Sequence, residues 1–96
     1  MELNEYLQQV TDQQSFLAFV YALKEDKKDE EKQEEQIPSS PYNPGWNGWE
    51  NSTITDFLEA AIAWAEALNF GDNTINSSNN LWQKFALFLY AGKFYE

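Results

Sequence analysis

Residues 53–71 read TITDFLEAAIAWAEALNFG, and this stretch decides the fold class. Thr53 can cap a helix N-terminus, with Asp56 at capping-box spacing three residues on. Ile54, Phe57, Leu58, Ala61, Ile62, Trp64, Ala65 and Leu68 then fall within an arc of about 160° when each residue turns about 100°. One apolar arc opposed by polar residues is the pattern of a helix lying on a core. Gly71 offers the left-handed conformation at which helices commonly stop. The spacing therefore predicts an amphipathic helix over 53–69.

Downstream, residues 72–80 are rich in Asn and Ser, which bond locally to the backbone and favour turns. A further helix is expected from about Asn79 or Asn80 to Ala91, with Gly92 as its stop. Its apolar face holds Leu81, Trp82, Phe85, Ala86, Phe88 and Leu89, while Leu87 and Tyr90 point elsewhere. A helix apolar nearly all round belongs at the centre of a bundle or in an oligomer interface.

Upstream, Leu3, Tyr6, Leu7 and Val10 recur at helical spacing and predict a short helix over 2–10. Thr11 and Gln14 have capping-box spacing before a second helix, 12–30, whose segment Phe16–Leu23 presents Phe16, Leu17, Phe19, Val20, Tyr21 and Leu23 as a broad apolar face. That pattern ends at Lys24. The tract KEDKKDEEKQEEQ, residues 24–36, contains no apolar side chain. Its residues are good helix formers, so it can extend as a solvated helical stalk. It offers no burial of its own to offset the ordering entropy, so fraying or disorder is the equal alternative. Pro38, Pro41 and Pro44 then disfavour helix, and 37–52 is expected to be a long loop carrying Tyr42, Trp46 and Trp49. The whole reads as one all-α domain over 1–96, a small bundle of about four helices.

The chain has 96 residues, no Cys, no His and a net charge of −10. Absent Cys removes disulfides, thiolate metal sites and a cysteine nucleophile. Absent His removes the commonest general base and metal ligand, and absent Arg removes bidentate phosphate clamps. No phosphate-binding glycine motif occurs; Gly45, Gly48, Gly71 and Gly92 are better explained by turns or helix stops. The acidity disfavours nucleic acid and anionic membranes and suits a basic partner. The opening MELNE lacks the basic and apolar regions of a signal peptide, so a cytoplasmic location is expected.

Candidate binding residues follow from what remains. Trp46 and Trp49 lie beside glycines in the loop and can form an aromatic platform for a partner, or fold back to close the core. Glu50, Asp56, Glu59 and Glu66 supply acidic character on the body of the domain. No cofactor or metal site is expected.

Three blocks support a family resemblance: V-T-D-x-x-S-F-L-x-F-V-x-A-L (Val10–Leu23), W-E-N-x-T-I-x-x-F-L-E-A-x-x-x-W (Trp49–Trp64) and W-x-x-F-A-x-F-L-Y-A-G-K-x-Y-E (Trp82–Glu96). Together they resemble a family of small uncharacterised bacterial proteins, a domain of unknown function. The resemblance implies a bacterial, intracellular, single-domain protein and transfers no activity or ligand. The function expected is therefore non-enzymatic binding of a protein partner, as an immunity-protein-like inhibitor or adaptor. The rival is a carboxylate-dependent enzyme or metal protein that gathers Glu50 with Glu59 or Glu96. A structural homodimer through the last helix is the third reading.

Overall fold

Leu81–Phe94 is apolar around most of its circumference, and the other described helices all rest on it, although Leu81 and Phe85, placed on its apolar face by the sequence, are exposed, as is Phe94. The computed structural model describes residues 2–36, 47–71 and 80–95. Among these, α1 spans Leu3–Gln8, α2 Gln13–Gln36, α3 Ile54–Leu68 and α4 Leu81–Phe94, with a 3-10 turn at Asn69–Gly71 and no strand. The fold is all-α. Helices α1 and α2 pack on each other and on α4, whereas α3 packs on no helix but α4.

The main core lies where α1, α2 and α4 meet. Leu7 and Val10 from α1 and its exit, Phe19 and Leu23 from α2, and Ala86 from α4 are buried there together with Trp49. Phe16 reaches Trp82 across the α2–α4 seam, ring centroids 5.4 Å apart. Two residues assigned to this core by the sequence are instead exposed. Leu17 and Tyr21 lie on the side of α2 away from Phe16, Phe19, Val20 and Leu23, which have the strict i, i+3, i+4, i+7 spacing.

The start of α2 is fixed one residue later than Thr11 and Gln14 suggest. Asp12 is the capping residue. Its Oδ1 accepts from the Ser15 backbone N–H at 2.8 Å and from the Ser15 hydroxyl at 2.7 Å. The Ser15 hydroxyl oxygen in turn accepts from the Asp12 N–H at 3.0 Å. These hydrogen bonds hold the Asp12 carboxyl below its ordinary value.

At its other end α2 does not stop at residue 30. It continues through the charged tract to Gln36. The core spacing continues too, since 16, 19, 23, 26 and 30 alternate steps of three and four. Asp26 and Glu30 occupy the two positions that follow Leu23 in this row, and Glu30 is buried.

Thr53 caps α3 as its spacing predicts, its hydroxyl accepting from the Asp56 N–H at 3.1 Å. The buried side of α3 is Ala60, Ala61, Trp64 and Ala65. Ile54, Leu58 and Ile62, placed in the core by the sequence, are exposed. Among the described α-helices α3 has α4 as its only neighbour, and it buries a narrower arc than its apolar residues span. Its left-handed stop falls on Asn69 (φ 50°) and Phe70 (φ 55°), not on Gly71. Phe70 stacks on Phe88 of α4, centroids 5.8 Å apart, which gives the reversal a packing role.

Asn80 caps α4, accepting from the Trp82 and Gln83 N–H groups. Its own amide donates to the Thr11 carbonyl at 2.8 Å, and the Gln83 amide donates to the Leu7 carbonyl at 2.9 Å, so α4 starts tied to the α1–α2 corner. Gly92 does not end this helix, which runs to Phe94. It packs directly against Phe57 of α3. A Cβ there would lie 2.9 Å from the Phe57 carbonyl oxygen and 2.8 Å from its ring.

Candidate functional site

Of the residues singled out for partner binding, Trp49 is not on the surface. It is 6% exposed, because the chain at 47–51 folds back between α2 and the end of α4. Gly48, at φ +82°, makes the turn that aims it, in a backbone conformation that costs an L-residue about 1–2 kcal/mol. The indole N–H donates to Asp26 Oδ2 at 2.8 Å and the backbone N–H to Glu30 Oε1 at 3.3 Å. Asn47 adds bonds to the Asp26 carbonyl and the Asp29 carboxylate. Lys93 of α4 reaches the same Asp26 Oδ2 at 2.8 Å, and Lys27 pairs with Glu30 at 3.3 Å. Both ammonium groups also lie over the Trp49 ring, Lys27 at 5.7 Å and Lys93 at 5.6 Å from the centroid.

Asn51 completes this junction. Its amide donates to the Gly92 and Tyr95 carbonyls, each at 3.1 Å, and its backbone N–H donates to the Lys93 carbonyl at 3.3 Å. Carbonyls at the end of α4, which a helix terminus leaves without helical partners, are satisfied by the loop. Burying one tryptophan removes about 150–250 Å² from water. At about 25 cal/mol per Å² this is about 4–6 kcal/mol gross, enough to order about one helical turn. The charged tract is thus held by an aromatic ring supplied from elsewhere in the chain. Asp26 and Glu30 each face an ammonium group and Asp29 accepts from the Asn47 amide, so the chemistry of the junction is that of a fastening.

The acidic candidates have a different setting. Asp56, Glu59 and Glu66 are exposed on α3, as is Glu50 just before it. No Lys lies on α3 to oppose them. Beside Glu59 and Glu66, which are seven residues apart, runs an apolar row: Ile54, Leu58 and Ile62, at i, i+4 and i+8, are 79%, 46% and 48% exposed. Single exposed apolar residues are ordinary, but three in line on a helix with one neighbour make a continuous stripe. At the Ile54 end the stripe meets a hollow of about 250 Å³ lined by Trp49, Phe57, Ile54, Asn51, Lys27 and Glu31. Trp49 lies buried beneath this hollow, stacked against Phe57 at 6.0 Å.

Trp46 and Glu96 lie outside the described residues. Among those described, no three His, Cys, Asp or Glu side chains gather as a set able to hold a metal ion. No described helix is long and apolar enough to cross a membrane.

Asp26, Glu30 and Lys93 were missed by sequence reasoning, although the step of three and four from Phe16 through Leu23 pointed to positions 26 and 30. The exposed stripe was missed because apolar periodicity alone was read as burial.

Comparison with known proteins adds a family and nothing finer. The model of a family of unknown function (DUF7660) matches residues 12–96, which leaves only α1 and its flanks outside. No curated protein and no solved structure matches the chain.

Proposed function

The chain belongs to DUF7660, and we propose that it is a non-enzymatic protein-binding module that docks through the outer face of α3. The observation that carries this reading is the apolar stripe Ile54, Leu58, Ile62 running beside Glu59 and Glu66, with Asp56 further round the same exposed helix. Interfaces combine an apolar centre with a polar rim, and a rim of one sign selects partners of the other. A chain of net charge −10 calls for a basic partner. The cleft between α1 and α2 also carries carboxylates, at Glu2, Glu25 and Asp26. On α2 two apolar side chains, Leu17 and Tyr21, are exposed, whereas α3 exposes a stripe of three, Ile54, Leu58 and Ile62. In this reading the protein acts in the bacterial cytoplasm as an inhibitor or adaptor.

Affinity purification of the tagged chain at low salt, beside a D56K/E59K/E66K variant, tests it. A partner retained by the natural chain and lost by the variant is expected. Recovery of no partner, or the same partners with both, overturns the assignment.

A further inference from the structure

We infer that the element docking on α3 is a basic amphipathic helix of the partner, an inference that rests on the binding reading above and specifies its form. The stripe from Ile54 to Ile62 is eight residues long, about 12 Å at about 1.5 Å per residue. A second helix laid along it matches that length with about two turns. Helices that dock this way present apolar anchors at i, i+3 or i+4 and i+7. The hollow at the Ile54 end, floored by Trp49 and Phe57, takes a large apolar side chain one turn further on. The docking helix thus has about twelve residues.

Charge sets the rest. Glu59 and Glu66, seven residues apart, lie on one side of the stripe, Asp56 stands further round the helix, and α3 has no cation. Lys or Arg along one flank of the incoming helix matches them. A second copy of this chain would place the same carboxylate row against itself, at a cost in like-charge repulsion.

The probe is a fluorescein-labelled peptide of Leu and Lys with Leu at i, i+3, i+4 and i+7. Its control is a shuffled peptide of the same composition with no apolar face. Binding to the full chain is read by anisotropy at about 0.15 M salt, where long-range charge effects are screened beyond about 8 Å. The ordered peptide is expected to bind at least about tenfold more tightly than the shuffled one, a gap of about 1.4 kcal/mol. An I54Q/L58Q/I62Q variant, with unchanged thermal unfolding, is expected to abolish that gap. D56N/E59Q/E66Q is expected to weaken both peptides. Equal binding of the two peptides, with both weakened by D56N/E59Q/E66Q, would overturn the helix while leaving the acidic docking face standing. No effect of D56N/E59Q/E66Q on either peptide would overturn the docking face as well. A dimer by light scattering that I54Q/L58Q/I62Q dissociates would show the stripe covered by a second copy and overturn the inference.

Discussion

Asp26 receives the indole N–H of Trp49 and the ammonium of Lys93 on one carboxylate oxygen, each at 2.8 Å. Through that atom α2, the loop before α3 and the end of α4 are joined at one place. Replacing Asp26 with Ala leaves two mostly buried donors without an acceptor, at about 1–3 kcal/mol each. We expect Asp26→Ala to lower stability by about 2–4 kcal/mol in urea unfolding, and Asp26→Asn, which keeps one acceptor oxygen, by less. A loss under about 0.5 kcal/mol for Asp26→Ala, the range of ordinary surface substitutions, would show that the junction contributes little.

Gly92 allows the α3–α4 contact to close. Alanine at a helical position gains about 1 kcal/mol in propensity over glycine. Here the added Cβ meets the Phe57 carbonyl oxygen at 2.9 Å, and a backbone atom inside a helix yields only if the helices separate. Overpacking of this kind costs about 1–3 kcal/mol. Gly92→Ala is therefore expected to lower the thermal midpoint despite its better propensity, and a raised midpoint would contradict the contact.

The four helices and the Thr53 cap were legible because each rests on local spacing, and the apolar surface of α4 pointed to the bundle centre as one of two places for it. Two things were not. The first is the charged tract, where composition argued for a solvated extension while Asp26 and Glu30 continued the core row. Their partners, Trp49 and Lys93, lie 23 and 67 residues from Asp26, and no local pattern carries that pairing. The second is the orientation of α3. Its apolar arc is wider than a single neighbour can cover, and the number of neighbours is a property of the whole fold. The exposed stripe was therefore misread as core by the same periodicity that correctly identified the helix.

That orientation gives a paired test. Ile62 is exposed and Ala61 is fully buried, so adjacent residues should respond in opposite ways. Ile62→Gln replaces an exposed side chain with a good helix former, and its effect on unfolding free energy should stay within about 0.5 kcal/mol. Ala61→Leu forces three extra carbons into the α3 seam and should cost about 1–3 kcal/mol. Reversal of the two results would return Ile62 to the core and remove the stripe on which docking depends.

Asp12 makes stability depend on acid in a definite direction. Hydrogen bonds from the Ser15 N–H and hydroxyl hold its folded-state pKa below the ordinary 3.8. A carboxyl depressed in the folded state contributes stability that is present above its unfolded value and lost as pH falls through the folded one. Its negative charge also sits at the start of α2, where the helix dipole favours an anion. Asp12→Asn keeps a capping oxygen and removes the charge. The natural chain should therefore unfold at a higher temperature than Asp12→Asn at neutral pH, by a margin that stays constant down to about pH 4. Below that the margin should close as the Asp12 carboxylate takes up its proton. Thermal unfolding of both chains from pH 7 to pH 2 measures this, and a margin unchanged across the acid range would assign the cap to oxygen geometry alone.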